Sequence, residues 1–267
     1  MDSSFWQKQT LDSPLFPDAI WSKPERRDLA GKLAIIGGHS QAFAAVASAH
    51  RMAFSVGLGS VKVILPESLK KTLPAPLAAQ LTDIIFSSAG PSGGFAASAL
   101  SDWRAAADWA DVVLFIGDSG ANSETAALLE TFLAHDNETP VIITRDAIDL
   151  VKHSAESVLN RAPTHLVASF SQLQKLFRAV YYPKVLTFHQ GVKQIAEILH
   201  KFTVTYPAIV SLWHNDHLFV AHGGQVITQD FTAPLRVWSG EAAVRIAVWQ
   251  IWQSDPLRAT AASWTEL

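Results

Sequence analysis

The sequence predicts an α/β fold in which one mostly parallel sheet is covered by helices on both faces. Three observations predict it. Short apolar runs alternate with helix-forming stretches, glycine or proline punctuates the ends of those runs, and 49% of the 267 residues are hydrophobic against 17% charged. Alternation of this kind implies strand–helix–strand units joined by right-handed crossovers. A chain this apolar can bury a sheet on both faces.

Residues 1–31 mix aromatic, proline and charged residues, with Pro14, Pro17 and Pro24 ahead of Glu25 to Asp28. They read as an N-terminal arm anchored by Phe5, Trp6 and Trp21, and residues 32–267 as a single domain. Lys32 to Ile36 is the first strand, and Gly37-Gly38 turns it into an Ala-rich helix between Ala42 and Phe54. Gly57 to Gly59 stops that helix, and Val61 to Leu65 is a strand closed by Pro66. Asp83 to Phe86 and Asp111 to Ile116 are further strands, the second ending at Gly117 to Gly120 before a helix over Glu124 to Ala134. Pro91 to Gly94 is a loop, Pro140 to Thr144 a strand closed by Arg145-Asp146, and Thr164 to Ala168 another parallel strand. The last third changes character. Ala208 to Leu212, His217 to Ala221 and Gln225 to Thr228 are separated by Asn215-Asp216 and Gly223-Gly224, which predicts hairpins. A helix over Glu241 to Trp252 then packs back, since Ala243, Ile246, Ala247 and Gln250 recur at helical spacing.

Composition narrows the function. A formal net charge of −3 with no sustained Lys/Arg run excludes a nucleic-acid or anionic-membrane surface. The absence of cysteine excludes disulfides and thiolate chemistry. No window reaches the roughly 18 apolar residues of a spanning helix, and Met1 to Gln9 lacks the pattern of a signal peptide. A cytoplasmic protein acting on small molecules is expected. The nine tryptophans are dispersed without interleaved basic residues, so they read as core and arm anchors. His214 and His217 are three apart on a strand, which places them on opposite faces, and no metal site is expected there.

Several motifs carry a resemblance. Gly31 to Ser40 reads G-K-L-A-I-I-G-G-H-S, Val56 to Val63 reads V-G-L-G-S-V-K-V, and Pro66 to Ser68 reads P-E-S. Ala110 to Gly120 reads A-D-V-V-L-F-I-G-D-S-G, and Pro140 to Leu150 follows in order. The series resembles the NAD(P)H-hydrate dehydratases of the ribokinase-like superfamily. Their segments read G-[RK]-x-L-x-I-G-G-S, A-G-A-G-L-V-T-V, P-E-S, A-D-A-V-V-I-G-P-G-L-G and P-x-V-L-D-A-D-A-L-N-L. The match covers most of the chain from Lys23 onward. It implies a ribokinase-like three-layer α/β/α sandwich and an enzyme that uses ATP or ADP with Mg2+ to dehydrate hydrated NADH or NADPH. It also implies a homo-oligomer.

The same resemblance places the roles. The family's G-T-G-D falls on Trp238 to Glu241, so Glu241 takes the acid/base position and Ser239 and Gly240 the nucleotide phosphate, as glycines at a helix N-terminus can. Asp146 keeps the second aspartate of D-A-D-A-L on the nucleotide side. Gly37, Gly38, Ala45, Gly117, Gly120 and Ser169 border the substrate. Each has a plainer reading: Ser239 as a helix cap, Glu241 as a first-turn charge, Asp146 as a cap, the glycines as turns and Ala45 as helix filler. Four departures weaken the catalytic reading. Thr144 replaces the first aspartate, Ser169 to Gln172 replaces H-P-G-E, Trp213-His214 replaces a K-G pair, and Asp118 replaces a proline. Two alternatives therefore stand beside the dehydratase: a catalytically decayed nucleotide-binding protein and a small-molecule, carbohydrate-type kinase of the same superfamily.

Overall fold

The computed structural model describes residues 4–135 and 138–267; residues 1–3 of the expected arm lie outside them. In chain order the elements are β1 (Trp6–Gln9), β2 (Lys32–Gly37), α1 (Ala44–Val56), β3 (Ser60–Pro66), α2 (Ala75–Ala78), β4 (Ile84–Ser87), α3 (Leu100–Trp109), β5 (Val112–Gly117), α4 (Ser123–His135), β6 (Val141–Thr144), α5 (Ala147–Leu150), α6 (Ala155–Asn160), β7 (Thr164–Ser169), α7 (Phe170–Ala179), α8 (Val192–Thr205), β8 (Ile209–His214), β9 (His217–His222), β10 (Gln225–Asp230), α9 (Pro234–Trp238), α10 (Glu241–Trp252) and α11 (Pro256–Trp264).

One sheet takes the order β1-β10-β9-β8-β7-β6-β5-β2-β3-β4. Among the described residues only β9 runs against the others, pairing antiparallel with β8 and β10. The strands that carry the site are parallel, so their C-terminal ends share one edge of the sheet. From β2 the chain moves outward through β3 and β4. It then crosses to β5, on the other side of β2, and continues to β6 and β7. This reversal between β2 and β5 opens a crevice at the strand ends, the usual place for a ligand in such sheets.

The two faces are packed separately. Ala34, Ile36, Val113 and Phe115 face one core with α3, α4, α7 and α8, where Phe95, Trp103, Phe115 and Phe132 form a buried ring cluster. Leu33, Ile35, Val112 and Leu114 face the other, against α1 and α10. That alternation along β2 and β5 is the period of a strand buried on both sides. The hairpins form because Asn215, Asp216, Gly223 and Gly224 all take positive φ, the conformation a two-residue primed turn requires.

The arm differs from its sequence reading in detail. Trp6 to Gln9 form an edge strand parallel to β10. Gln9 is buried because its amide donates to Gln229 Oε1 and to the Ala261 carbonyl. Phe5 stacks on His200 and Trp6 Nε1 donates to Thr228. Trp21 is not a buried anchor: the residue is 87% exposed. No helix among the described residues is long and apolar enough to cross a membrane.

Candidate functional site

A cleft of about 770 Å³ opens at the C-terminal edge of the sheet, lined by His39, Asp118, Gly120, Arg145, Asp146, Asp149, Ser169, Gln172 and Trp238, among others. A second pocket of about 50 Å³ lies between the start of α10 and α1, lined by Ala45, Ser48, Ile116, Ser239, Gly240 and Glu241.

Close backbone contact at the reversal explains the glycines. Gly37 pairs with Gly117, and a Cβ on Gly37 would lie 2.5 Å from the Gly117 carbonyl oxygen. The Gly38 amide donates to that same carbonyl at 3.0 Å. Gly37 and Gly38 shape the crevice from beneath and do not line the cleft, whereas Gly120 does. Gly240 adopts φ 93° at the start of α10, with the Arg145 side chain 3.2 Å from where its Cβ would be.

The expected carboxylates, Asp146 and Glu241, and the neighbouring Asp149 are all engaged. Asp146 accepts from the amides of Asp118, Ser119 and Gly120 at 2.8, 2.9 and 3.0 Å, filling the nest that the strand end makes. Glu241 faces the small pocket, where Arg236 Nε donates at 3.0 Å, Arg236 Nη2 donates to its other oxygen, and Arg245 Nε donates at 3.2 Å. The Arg236 hydrogen bond holds the Glu241 carboxyl below the usual range, against its partial burial. Asp149 is opposed by burial but kept below its ordinary value by Lys175 and Gln172.

Ser169, expected beside substrate, lines the cleft as the N-cap of α7. Its Oγ accepts from the Gln172 amide, and Gln172 Oε1 accepts from the Ser169 amide in return, a complete capping box. The Gln172 amide group also donates to the Arg145 carbonyl at 2.7 Å and to Asp149 at 3.0 Å. Ser239 bonds within its own turn, its hydroxyl donating to the Arg236 carbonyl.

Sequence reasoning missed the centre of the cleft, which is Arg145. Its Nη1 donates to the Trp238 carbonyl at 2.8 Å and its Nη2 to Asp118 Oδ1 at 2.8 Å. Asp118 Oδ2 accepts from the Ala45 amide, in the first turn of α1, at 2.7 Å. Arg145 and Asp118 both take positive φ, 55° and 56°, a strained conformation for residues with side chains. A signal was present: opposite charges end two strands that a parallel sheet with this crossover brings side by side. Trp238 is half exposed on the cleft wall, its ring edge-on to Trp213 at 5.6 Å. His214 is held in an aromatic stack with Phe170 at 4.1 Å, and among the described residues no cluster of three or more metal-ligating side chains occurs.

No family model and no curated protein matches the sequence. Solved structures do match in shape. A ribokinase-like superfamily protein from Enterococcus faecalis V583 superimposes with a TM-score of 0.72 at 15% identity, over 99% of this chain and 87% of that one. An ADP/ATP-dependent NAD(P)H-hydrate dehydratase from Bacillus subtilis, co-crystallized with ATP/Mg2+ and soaked with CoA, gives 0.62 at 16% identity, over 94% and 85%. An adenosine kinase from Anopheles gambiae, in complex with a di(adenosine) tetraphosphate, gives 0.55 at 10% identity, over 88% and 94%. Likeness at these identities is a likeness of fold, and on it, together with the strand order and the two helical layers, this chain has the ribokinase-like fold.

Proposed function

We propose that the chain binds a nucleotide or nicotinamide dinucleotide in the cleft, with recognition kept and the dehydration chemistry implied by its motifs lost. One observation carries this reading: the half-exposed Trp238 and Arg145 border a single opening at the sheet reversal. An indole face takes a planar base or nicotinamide ring, and an arginine takes a phosphate. The volume suits such a ligand. Against turnover, a general base needs an oxygen within reach of the substrate proton. Both oxygens of Glu241 accept from arginines, and Glu241 is absent from the wall of the main cleft.

Magnesium fits this site less well than the nucleotide does. Asp146 is spent on three amides, Asp118 on Arg145 and the Ala45 amide, and Asp149 on Lys175 and Gln172. None offers a free carboxylate oxygen pair to a hard cation.

A second reading keeps the enzyme. Ala45, Ser239, Gly240 and Glu241, assigned their roles by resemblance, do line one pocket together. If Arg236 moved aside, the dehydratase arrangement would be partly restored. One experiment separates the readings: protein with hydrated NADH, Mg2+ and either ATP or ADP, followed at the reduced-nicotinamide absorbance band, alongside calorimetric titration with each nucleotide. Binding without recovered absorbance is the expected outcome. Recovery of absorbance at enzymatic rates establishes the dehydratase, and absence of any binding removes both.

A further inference from the structure

The bridge between Arg145 and Asp118 does more than close a turn. Helix α1 has no side-chain cap of its own; its N-cap is Phe43. The Asp118 carboxylate supplies that place from another strand end, one oxygen on the Ala45 amide and the other on Arg145. First-turn amides of a helix and a guanidinium are donors suited to an anion. Arg145 Nε is buried and has no hydrogen-bond partner among the described residues. The pair also stands between the two cavities: Asp118 and Arg145 line the large cleft, while Ala45 and Gly240, which they touch, line the small pocket.

We propose that Asp118 is an internal occupant of an anion site formed by Arg145 and the Ala45 amide, and that it sets ligand specificity by competing with phosphate groups for those donors. A phosphoryl oxygen reaching Arg145 must displace the carboxylate or bind beside its charge, so wild-type protein binds a phosphate there more weakly than the same donors would without Asp118. The inference rests on reading the cleft as a ligand site and names the residue that decides which anions enter it.

The test uses the full chain, with inorganic phosphate, ADP and adenosine as three separate probes in calorimetry. Asp118→Asn keeps the shape and tolerates positive φ. Asp118→Gly, at home in the same backbone conformation, covers the case in which the first variant folds poorly. Both are expected to bind phosphate and ADP about tenfold or more tightly than wild type, with adenosine unchanged. Adding Arg145→Gln to either variant is expected to abolish the gain. A purely structural cap would lower the melting temperature and leave phosphate affinity where it was; that result, in variants that melt cooperatively, overturns the proposal. If phosphate tightens while neither ADP nor adenosine binds any form, the anion site stands and the nucleotide reading of the cleft falls. If ADP and adenosine bind wild type and no variant gains affinity for anions, the nucleotide reading stands and this inference falls.

Discussion

Carboxylates around the site differ less in position than in what already holds them. Glu241 sits on the first turn of α10, where a negative charge is favoured by the helix dipole, and Arg245 one turn later reaches back to it. Arg236 from α9 completes the clamp with two donors. Replacing Glu241 with Gln removes the charge from a partly buried network and leaves two arginines short of an acceptor. Glu241→Gln is therefore expected to lower unfolding stability by about 1–3 kcal/mol, read by urea denaturation, with nucleotide affinity nearly unchanged. A variant of unaltered stability that loses a hundredfold in dehydration rate would return Glu241 to the catalytic role implied by its position.

At the scale of elements, the crossover geometry depends on contacts too close for a side chain. Gly37→Ala places a Cβ 2.5 Å from the Gly117 carbonyl, forcing β2 and β5 apart where the cleft begins. A cost of about 1–3 kcal/mol is expected, and ligand affinity should fall with it, because the strand ends would no longer hold the walls of the cleft in register. Ser169→Ala is milder. It removes the cap of α7 and should cost about 1 kcal/mol of unfolding free energy, read by urea denaturation. Most strands and α10 were legible in the apolar runs and glycine stops. The edge strand Trp6 to Gln9 was not, because only Gln9 in it is fully buried and its partners are 220 and 252 residues away. Helix α11 also escaped notice, although Asp255 caps it and Pro256 opens it, a pairing that sequence can show.

For the molecule as a whole, one buried histidine links the sheet to its helical cover. His165 on β7 accepts at Nδ1 from the Gln250 amide of α10 at 2.7 Å, which leaves Nε2 as the donor to Ser211 of β8 at 2.8 Å. Burial, then the nearby His222, pulls its pKa from the ordinary 6.5 down to about 3. The unfolded chain therefore takes up a proton that the folded one refuses. Stability from this group is fully present above about pH 6.5 and is lost as pH falls toward 3. The slope approaches about 1.4 kcal/mol per pH unit for one such proton. Urea midpoints measured from pH 7 to pH 5 should fall steadily, and His165→Gln should remove about that much of the slope between pH 6 and pH 5. An unchanged slope in the variant would show that other groups carry the acid sensitivity.

Local pattern alone determined the parallel strands, the crossovers, the two hairpins and the span of α10, since periodicity, turn residues and helix stops act over a few residues. It also placed Gly37, Gly117, Asp146 and Gly240 near one edge, because parallel strands end together. Only the tertiary structure decided which donors each carboxylate meets: Asp118 with an amide 73 residues away, Asp146 with amides 26 to 28 residues away, and Arg145 with a carbonyl 93 residues away. Side-chain direction at a strand end follows from positive-φ backbone and from the partner loop across the reversal, and neither leaves a period in the sequence.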